Sequence, residues 1–268
     1  MTGRKTAEAD RQRRRSTKSG VVLDEQKIVD TALRMLEEHG SSGLSARRLG
    51  RALGADPTTI YRYFQGMDDL ELAVADELIA RVTRDWHRTG DWKADLQRWG
   101  VSAYTEYLKY PHAAQISAAR ISGRPAELAG VEAILAALRS AGFPDRLAVL
   151  YYRSFIAQML SYAARDGAKK LVSTLHRGAD TERWTSVYAG VSAEQYPNIA
   201  ATADLLEEFG TRNLYPIALQ ILLTDMQTAL ERHRDRAPAR RPASNETRRT
   251  SSSTSTVPIS GTRRPLRP

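Results

Sequence analysis

Leu70, Val74, Leu78 and Val82 fall on every fourth residue, and only a helix turns that spacing into one continuous apolar face. A recurrence at three and four also marks Ile28, Ala32 and Leu36 and, far along the chain, Leu214, Ile217, Ile221 (with Leu222) and Met226. Strand signals are scarce. No Asn-Gly or Asp-Gly pair lies between alternating runs, and the Asp166-Gly167 pair follows a helical stretch. The pattern predicts an all-α fold. Glycines and prolines, which break helices through backbone entropy and loss of the amide donor, divide it into segments. Helices are predicted over Glu25–His39, Ala46–Leu53, Pro57–Phe64 and Asp68 to about Arg84, then over 92–109, 112–122, 125–141, 144–165 and 212–233. Segment 166–200, with Gly167, Gly178, Gly190 and Pro197, is predicted irregular: a lid, an insertion or a short-helix region.

The 268 residues include no cysteine, which excludes a disulfide scaffold, a thiolate nucleophile and a cysteine zinc site. His39, His87, His112, His176 and His233 lie scattered without ligand spacing. No GxSxG elbow, GxGxxG, phosphate loop or HExxH motif occurs, so no enzyme, metal site or cofactor is expected. The longest apolar stretches, such as Ile217–Leu223, fall well short of the roughly 18 residues of a membrane span, which predicts a cytoplasmic chain without membrane contact.

The net charge of +9 belongs to the ends. Residues 1–20 carry +5 and residues 232–268 carry +8, leaving the remaining 211 residues at −4. Both ends are polar, and the second is rich in proline, serine and threonine, so residues 1–20 and 234–268 are predicted to be disordered basic arms. Between them the chain divides at about residue 88, giving segments 21–88 and 89–233. Any polyanion-binding surface on the body must be local.

Such a surface is predicted at Leu44–Phe64, LSARRLGRALGADPTTIYRYF. Ser45 is placed to cap a helix whose Ala46, Leu49 and Leu53 face inward, and Gly54 supplies the left-handed residue that ends it. After a short turn Asp56 is placed to cap a second helix with Pro57 in its first turn. Ile60 and Phe64 anchor it, leaving Thr58, Thr59, Tyr61, Arg62 and Tyr63 facing outward or to the flank. Arg47, Arg48, Arg51 and Arg62 against Asp56 alone make residues 44–65 locally +3. Arginine can fork to guanine, threonine can meet a thymine methyl or a phosphate, and tyrosine hydroxyls can hold phosphates. Two packed helices with ordinary solvated arginines would carry the same residues.

Residues 24–83, with IVDTALRMLEEHG, GLSARRLGRALG and ADPTTIYRYFQGMDDL in succession, resemble the DNA-binding domain of the tetracycline-repressor (TetR) family. The resemblance covers about sixty residues without a gap and is most specific over Leu53–Leu70. It implies a three-helix helix-turn-helix domain, joined by a fourth helix to a larger helical ligand-binding and dimerisation domain. It places Ser45, Arg47, Thr59, Tyr61, Arg62 and Tyr63 on family positions that touch DNA, with Arg47 and Arg62 reading bases and Thr59, Tyr61 and Tyr63 holding the backbone. Arg48 and Thr58 are expected beside them. Where many members open the fourth helix with a phosphate-gripping lysine, this chain has Met67, so helix-start amides or Gln65 would have to substitute.

The resemblance further implies a regulator, a repressor by expectation, that binds a palindromic DNA operator as a homodimer and is released by a small-molecule effector. Helices about 145–165 and 212–233 would form the dimer bundle. Aromatic walls with a few polar groups suit small molecules, and Tyr104, Tyr107, His112, Gln115, Arg120, Tyr151, Phe155, Gln158, Met159 and Tyr162 are the expected pocket residues. Each of those side chains is equally compatible with plain core, and Arg120 with a solvated or ion-paired role. A rival of another class is a nonspecific DNA-coating protein acting through its basic tails.

Overall fold

Capping side chains begin most of the early helices. Asp24 accepts from the Lys27 amide at 2.8 Å, Ser45 from Arg48 at 3.3 Å, and Asp91 from Lys93 and Ala94 at 3.0 and 3.1 Å. In the structure, a computed structural model that describes residues 23–40, 43–171, 182–183 and 186–236, every regular element among the described residues is helical. They run as α1 (Glu25–His39), α2 (Ala46–Leu53), a 3-10 segment (Pro57–Arg62), α3 (Met67–Arg84), α4 (Trp92–Tyr107), α5 (Pro111–Ala119), α6 (Pro125–Ala141), α7 (Asp145–Leu171), α8 (Pro197–Thr211) and α9 (Tyr215–Arg236). None of these helices is long and apolar enough to cross a membrane. The expected disordered arms lie outside the described residues, except that α9 continues through Arg234–Arg236.

The differences from expectation have local causes. Pro57–Phe64 tightens into a 3-10 segment, with the Thr59 amide bonding Asp56 O at 2.9 Å and the Tyr63 amide bonding Ile60 O at 3.0 Å. Six residues starting at a proline and capped only two positions in are short enough for i+3 bonding to win. The helix expected to end at 165 runs to Leu171, carrying Gly167 inside it. A Cβ at 167 would lie 2.7 Å from Leu108 O and 3.0 Å from Pro111 Cβ. That glycine is therefore the point where the start of α5 presses on α7, not a terminator. Helix α8 was not expected, because Pro197 reads as a breaker. It occupies the first position of α8, where its missing donor costs nothing.

Helix α7 is the spine of the larger half. It packs against α4, α5, α6 and α9, while α3 lies against α4, α5 and α6. In the smaller half α1 packs on α2 and α3. One apolar cluster runs through both halves, from Ile28, Leu49, Ile60, Phe64 and Leu70 to Trp99, Tyr107, Phe155, Met159 and Leu223.

Asp95 is the one acidic side chain in the buried set, 1% exposed. It accepts from Thr89 Oγ1 at 2.7 Å, the Thr89 amide at 3.0 Å and Arg98 Nη2 at 2.6 Å, which anchors the link between α3 and α4. Burial alone would raise its pKa, but the Thr89 and Arg98 bonds outweigh it and hold the carboxyl below the usual 3.8. A depressed carboxylate contributes stability above its unfolded value, which is lost as pH falls through the folded one. Asp95→Ala is therefore expected to cost about 1–3 kcal/mol in urea unfolding at pH 7. The difference from the native chain should shrink below about pH 4.

Candidate nucleic-acid interface and effector cavity

Ile60 and Phe64, at 0% and 1% exposure, pin the 3-10 segment to the core and turn its other side outward. Gly50 makes the close turn possible. A Cβ there would stand 3.0 Å from Ala55 O and 3.1 Å from the Pro57 backbone. On the outward side Thr58, Tyr61, Arg62 and Gln65 are exposed, with Arg47 and Arg48 exposed on the first turn of α2 and Ser45 and Thr59 half-buried. Arg47, Arg51 and Arg62 pair with no carboxylate among the described residues. Tyr63 differs from its neighbours. It is half-buried and its hydroxyl donates to Leu23 O at 2.7 Å, tying the segment to the start of α1. Thr58 Oγ1 donates to Asp56 at 2.6 Å.

Met67 is half-buried against the core, so the position of the missing lysine is used for packing. The Gln65 amide donates to Asp69 Oδ2 at 3.0 Å. Burial would raise the Asp69 pKa, but that amide and Arg124 hold it below the usual carboxylate range. Arg124 reaches from the start of α6 to Asp69 at 2.9 Å and to Glu25 at 2.7 Å, with its guanidinium carbon 5.9 Å from the Phe64 ring centroid. One side chain of the larger half thus grips the first turns of α1 and α3. Asp76 of α3 binds back by accepting the Glu127 amide at 2.7 Å and the Ala126 amide at 3.3 Å. Arg81 of α3 adds contacts to Glu106 at 3.3 Å and Asp30 at 3.7 Å.

Helices α3, α4, α5, α6 and α7 surround a cavity of about 60 Å³. Leu72, Ala75, Asp76 and Ile79 of α3 form one wall, facing Trp99, Tyr107, Glu127, Gly130, Tyr152 and Met159. Trp99 Nε1 is buried without a hydrogen-bond partner among the described residues. Gly130 allows the close approach of α6 to α3, since a Cβ there would lie 3.1 Å from Ile79 Cγ2.

Residues 28–74 match the family model described as bacterial regulatory proteins, tetR family. Residues 87–230, more than half the chain, match the tetracyclin repressor-like C-terminal domain. The chain belongs to the tetR family. Among curated relatives it is similar to the HTH-type transcriptional repressor DrrR1 of Streptomyces coeruleorubidus, 28% identical over 49% of this chain and 48% of that protein. It is also similar to an HTH-type transcriptional regulator of Saccharopolyspora erythraea, 30% identical over 46% and 52%. The chain thus spans about half the length of the curated relatives it matches. Among solved structures, the TetR family protein ActR of Streptomyces coelicolor, in complex with actinorhodin, superposes with a TM-score of 0.69 at 22% identity, covering 77% of this chain and 96% of ActR. A protein described as a possible TetR family transcriptional regulator from Streptomyces coelicolor A3(2) superposes at 0.64 with 26% identity, covering 77% and 100%. Members of the tetR family are transcriptional regulators and not enzymes.

Within this tetR-family fold the ten expected pocket residues do not share one cavity. Tyr107, Arg120 and Met159 line the cavity beside α3. His112 and Gln115 line a separate one of about 130 Å³ with Leu36 and Tyr110. Tyr104, Tyr151, Phe155, Gln158 and Tyr162 line neither and serve packing in the larger half. Tyr104 stacks on Tyr215 with centroids 4.3 Å apart and donates to Asp166 at 3.0 Å. Tyr151 donates to Asp225 at 2.9 Å and Gln158 to Ala218 O at 3.2 Å. Phe155 lies 5.8 Å from Trp99, and Tyr162 lies 5.8 Å from Tyr215. Burial first, then the neighbouring carboxylate, pushes the Tyr104 and Tyr151 hydroxyls up to about 12. Arg120 lies 3.5 Å from Asp68, an ion pair on the cavity rim. Asp76, Trp99, Glu127 and Tyr152 also line that α3 cavity and were not among the expected pocket residues. A signal for the α3 wall existed: Leu72, Ala75 and Ile79 recur at three and four as a second apolar stripe beside Leu70, Val74 and Leu78.

Proposed function

We propose that this tetR-family protein is a sequence-specific DNA-binding regulator, a repressor, that binds a palindromic operator as a homodimer and is released by a small-molecule effector. The observation that carries this reading is the exposed Arg47, Arg48, Tyr61 and Arg62 surface, held on a short segment whose opposite side is fully buried. Arg62 and Arg47 read base edges. Ser45, Arg48, Thr58, Thr59, Tyr61 and Gln65 position the backbone, and Tyr63 acts chiefly as the strut that fixes the segment. Residues 21–88 carry the reading head and 89–233 the effector and dimer functions.

The dimer forms through α7 and α9. Val149 and Leu150 on α7 and Ile217 and Ile221 on α9 are 46–66% exposed in the protomer, an apolar area that an intersubunit bundle would cover. Two heads would then meet half-sites about 34–36 Å apart. The effector enters beside α3, so its occupancy moves the helix that carries the head. A switch from 99:1 to 1:99 needs about 5.5 kcal/mol of differential binding. A fold neighbour, ActR, holds actinorhodin, so this fold admits a ligand.

The test is a selection of genomic DNA fragments by the purified full chain at near-physiological salt. A short palindromic motif supports the reading. Enrichment without a motif, abolished by deleting 1–20 and 237–268, would replace it with nonspecific coating by the basic ends.

A further inference from the structure

The cavity beside α3 has a charge character of its own. Asp76 and Glu127 both line it, and neither forms an ion pair among the described residues. Their partners are neutral donors: the Ala126 and Glu127 amides for Asp76, and the Ser122 amide and hydroxyl with the Gly123 amide, at 2.6–2.8 Å, for Glu127. Arg120, the one cation among the described lining residues, lies beside Asp68. Burial chiefly drives the Tyr107 hydroxyl upward; its bond with Ser117 offsets part of that, and Asp76 and Glu127 add to the rise. The remaining walls include Trp99, Tyr107 and Tyr152, whose ring faces attract cations. Trp99 is 3% exposed, and its Nε1 donor has no partner among the described residues. A donor left in that state lacks an acceptor that a ligand would supply.

We infer that this cavity takes a small aromatic amine, cationic at neutral pH and carrying an oxygen acceptor, and excludes aromatic anions. The inference deepens the effector reading above and rests on it. The ring lies among Trp99, Tyr107 and Tyr152, the oxygen accepts from Trp99 Nε1, and the ammonium sits between Asp76 and Glu127. At about 60 Å³ the cavity has room for only a few waters, so even a single-ring ligand must part α3 from α6. The ammonium competes for Asp76 with the α6 amides, and so opens the contact that holds those helices together. A ligand without a positive charge has no such claim on Asp76.

Titration calorimetry of the full chain at pH 7 with four matched probes tests this: tyramine (cation), tyrosol (neutral), 4-hydroxyphenylacetate (anion) and phenethylamine (cation without the oxygen). Tyramine is expected to bind at least about tenfold tighter than 4-hydroxyphenylacetate, with tyrosol between them, and several-fold tighter than phenethylamine. In Glu127→Gln, which keeps an acceptor for the Ser122 and Gly123 amides, the advantage of tyramine over tyrosol should fall severalfold. Asp76→Asn should act in the same direction, with unchanged melting confirming the fold. Equal or tighter binding of tyrosol or the anion overturns the inference. So does a cation preference that survives both substitutions, or no binding of tyramine up to about 10 mM. No DNA is present in these titrations, so a missing operator would sink the regulator reading without touching them. A selected operator with no cation preference would sink the inference alone.

Discussion

Arg62→Ala is expected to weaken binding to a selected operator by about 10- to 100-fold, the 1–3 kcal/mol of one bidentate base contact. Binding to random duplex should weaken far less. The substitution leaves the scaffold alone, because Arg62 is exposed and pairs with no carboxylate among the described residues, while the buried Ile60 and Phe64 hold the segment. Adding Tyr61→Ala removes the most exposed aromatic of the segment, 51% accessible, and with it the DNA-backbone contact proposed for it. The double variant should approach the nonspecific level, with a shallower salt dependence. Fluorescence anisotropy with operator and scrambled duplexes at two salt concentrations separates the effects. Equal loss on both duplexes would make Arg62 a phosphate contact, and no loss on either would move the interface off this segment.

Ile221→Asp should convert the protein to a 29.8 kDa monomer. Ile221 is 66% exposed in the protomer, so aspartate there costs the isolated fold little. Inside an apolar bundle the same carboxylate would be buried without a partner, at several kcal/mol. Two-fold symmetry presents that penalty twice, so dimer affinity should fall by about a thousandfold or more. Light scattering across a dilution series reads the mass directly, and the melting profile of the variant reports its fold. A variant that stays dimeric would place the interface elsewhere. Operator affinity should drop alongside, because a single head meets a single half-site.

The local fold of Leu44–Phe64 was largely legible from the sequence because its determinants are local. Ser45, Gly54, Asp56 and Pro57 act on residues one to four positions away, which is the range over which caps and turns are written. Pro197 and Gly167 misled for the opposite reason. Whether a proline opens a helix or ends one depends on which side of it the chain is helical, and whether a glycine breaks a helix or admits a neighbour depends on Leu108 and Pro111, almost sixty residues away. The pocket was the least legible part. Tyr104, Tyr151 and Phe155 have the same composition as cavity walls, but α9 packs against both α4 and α7 and takes them into the core. Asp76 and Glu127 were passed over because acidic residues on helices usually face solvent. Here each is held by backbone amides of the turn that opens α6.

The grip of Arg124 on Glu25 and Asp69, together with Asp76 on the start of α6, bears on how freely this chain can exchange parts with its relatives. A foreign DNA-reading head grafted onto residues 89–233 would meet an arginine and two backbone amides that need acidic partners at three fixed places. A donor lacking acids at positions matching 25, 69 and 76 would give a chimera whose halves both fold but no longer share a joint. Its operator binding would then persist at every effector concentration.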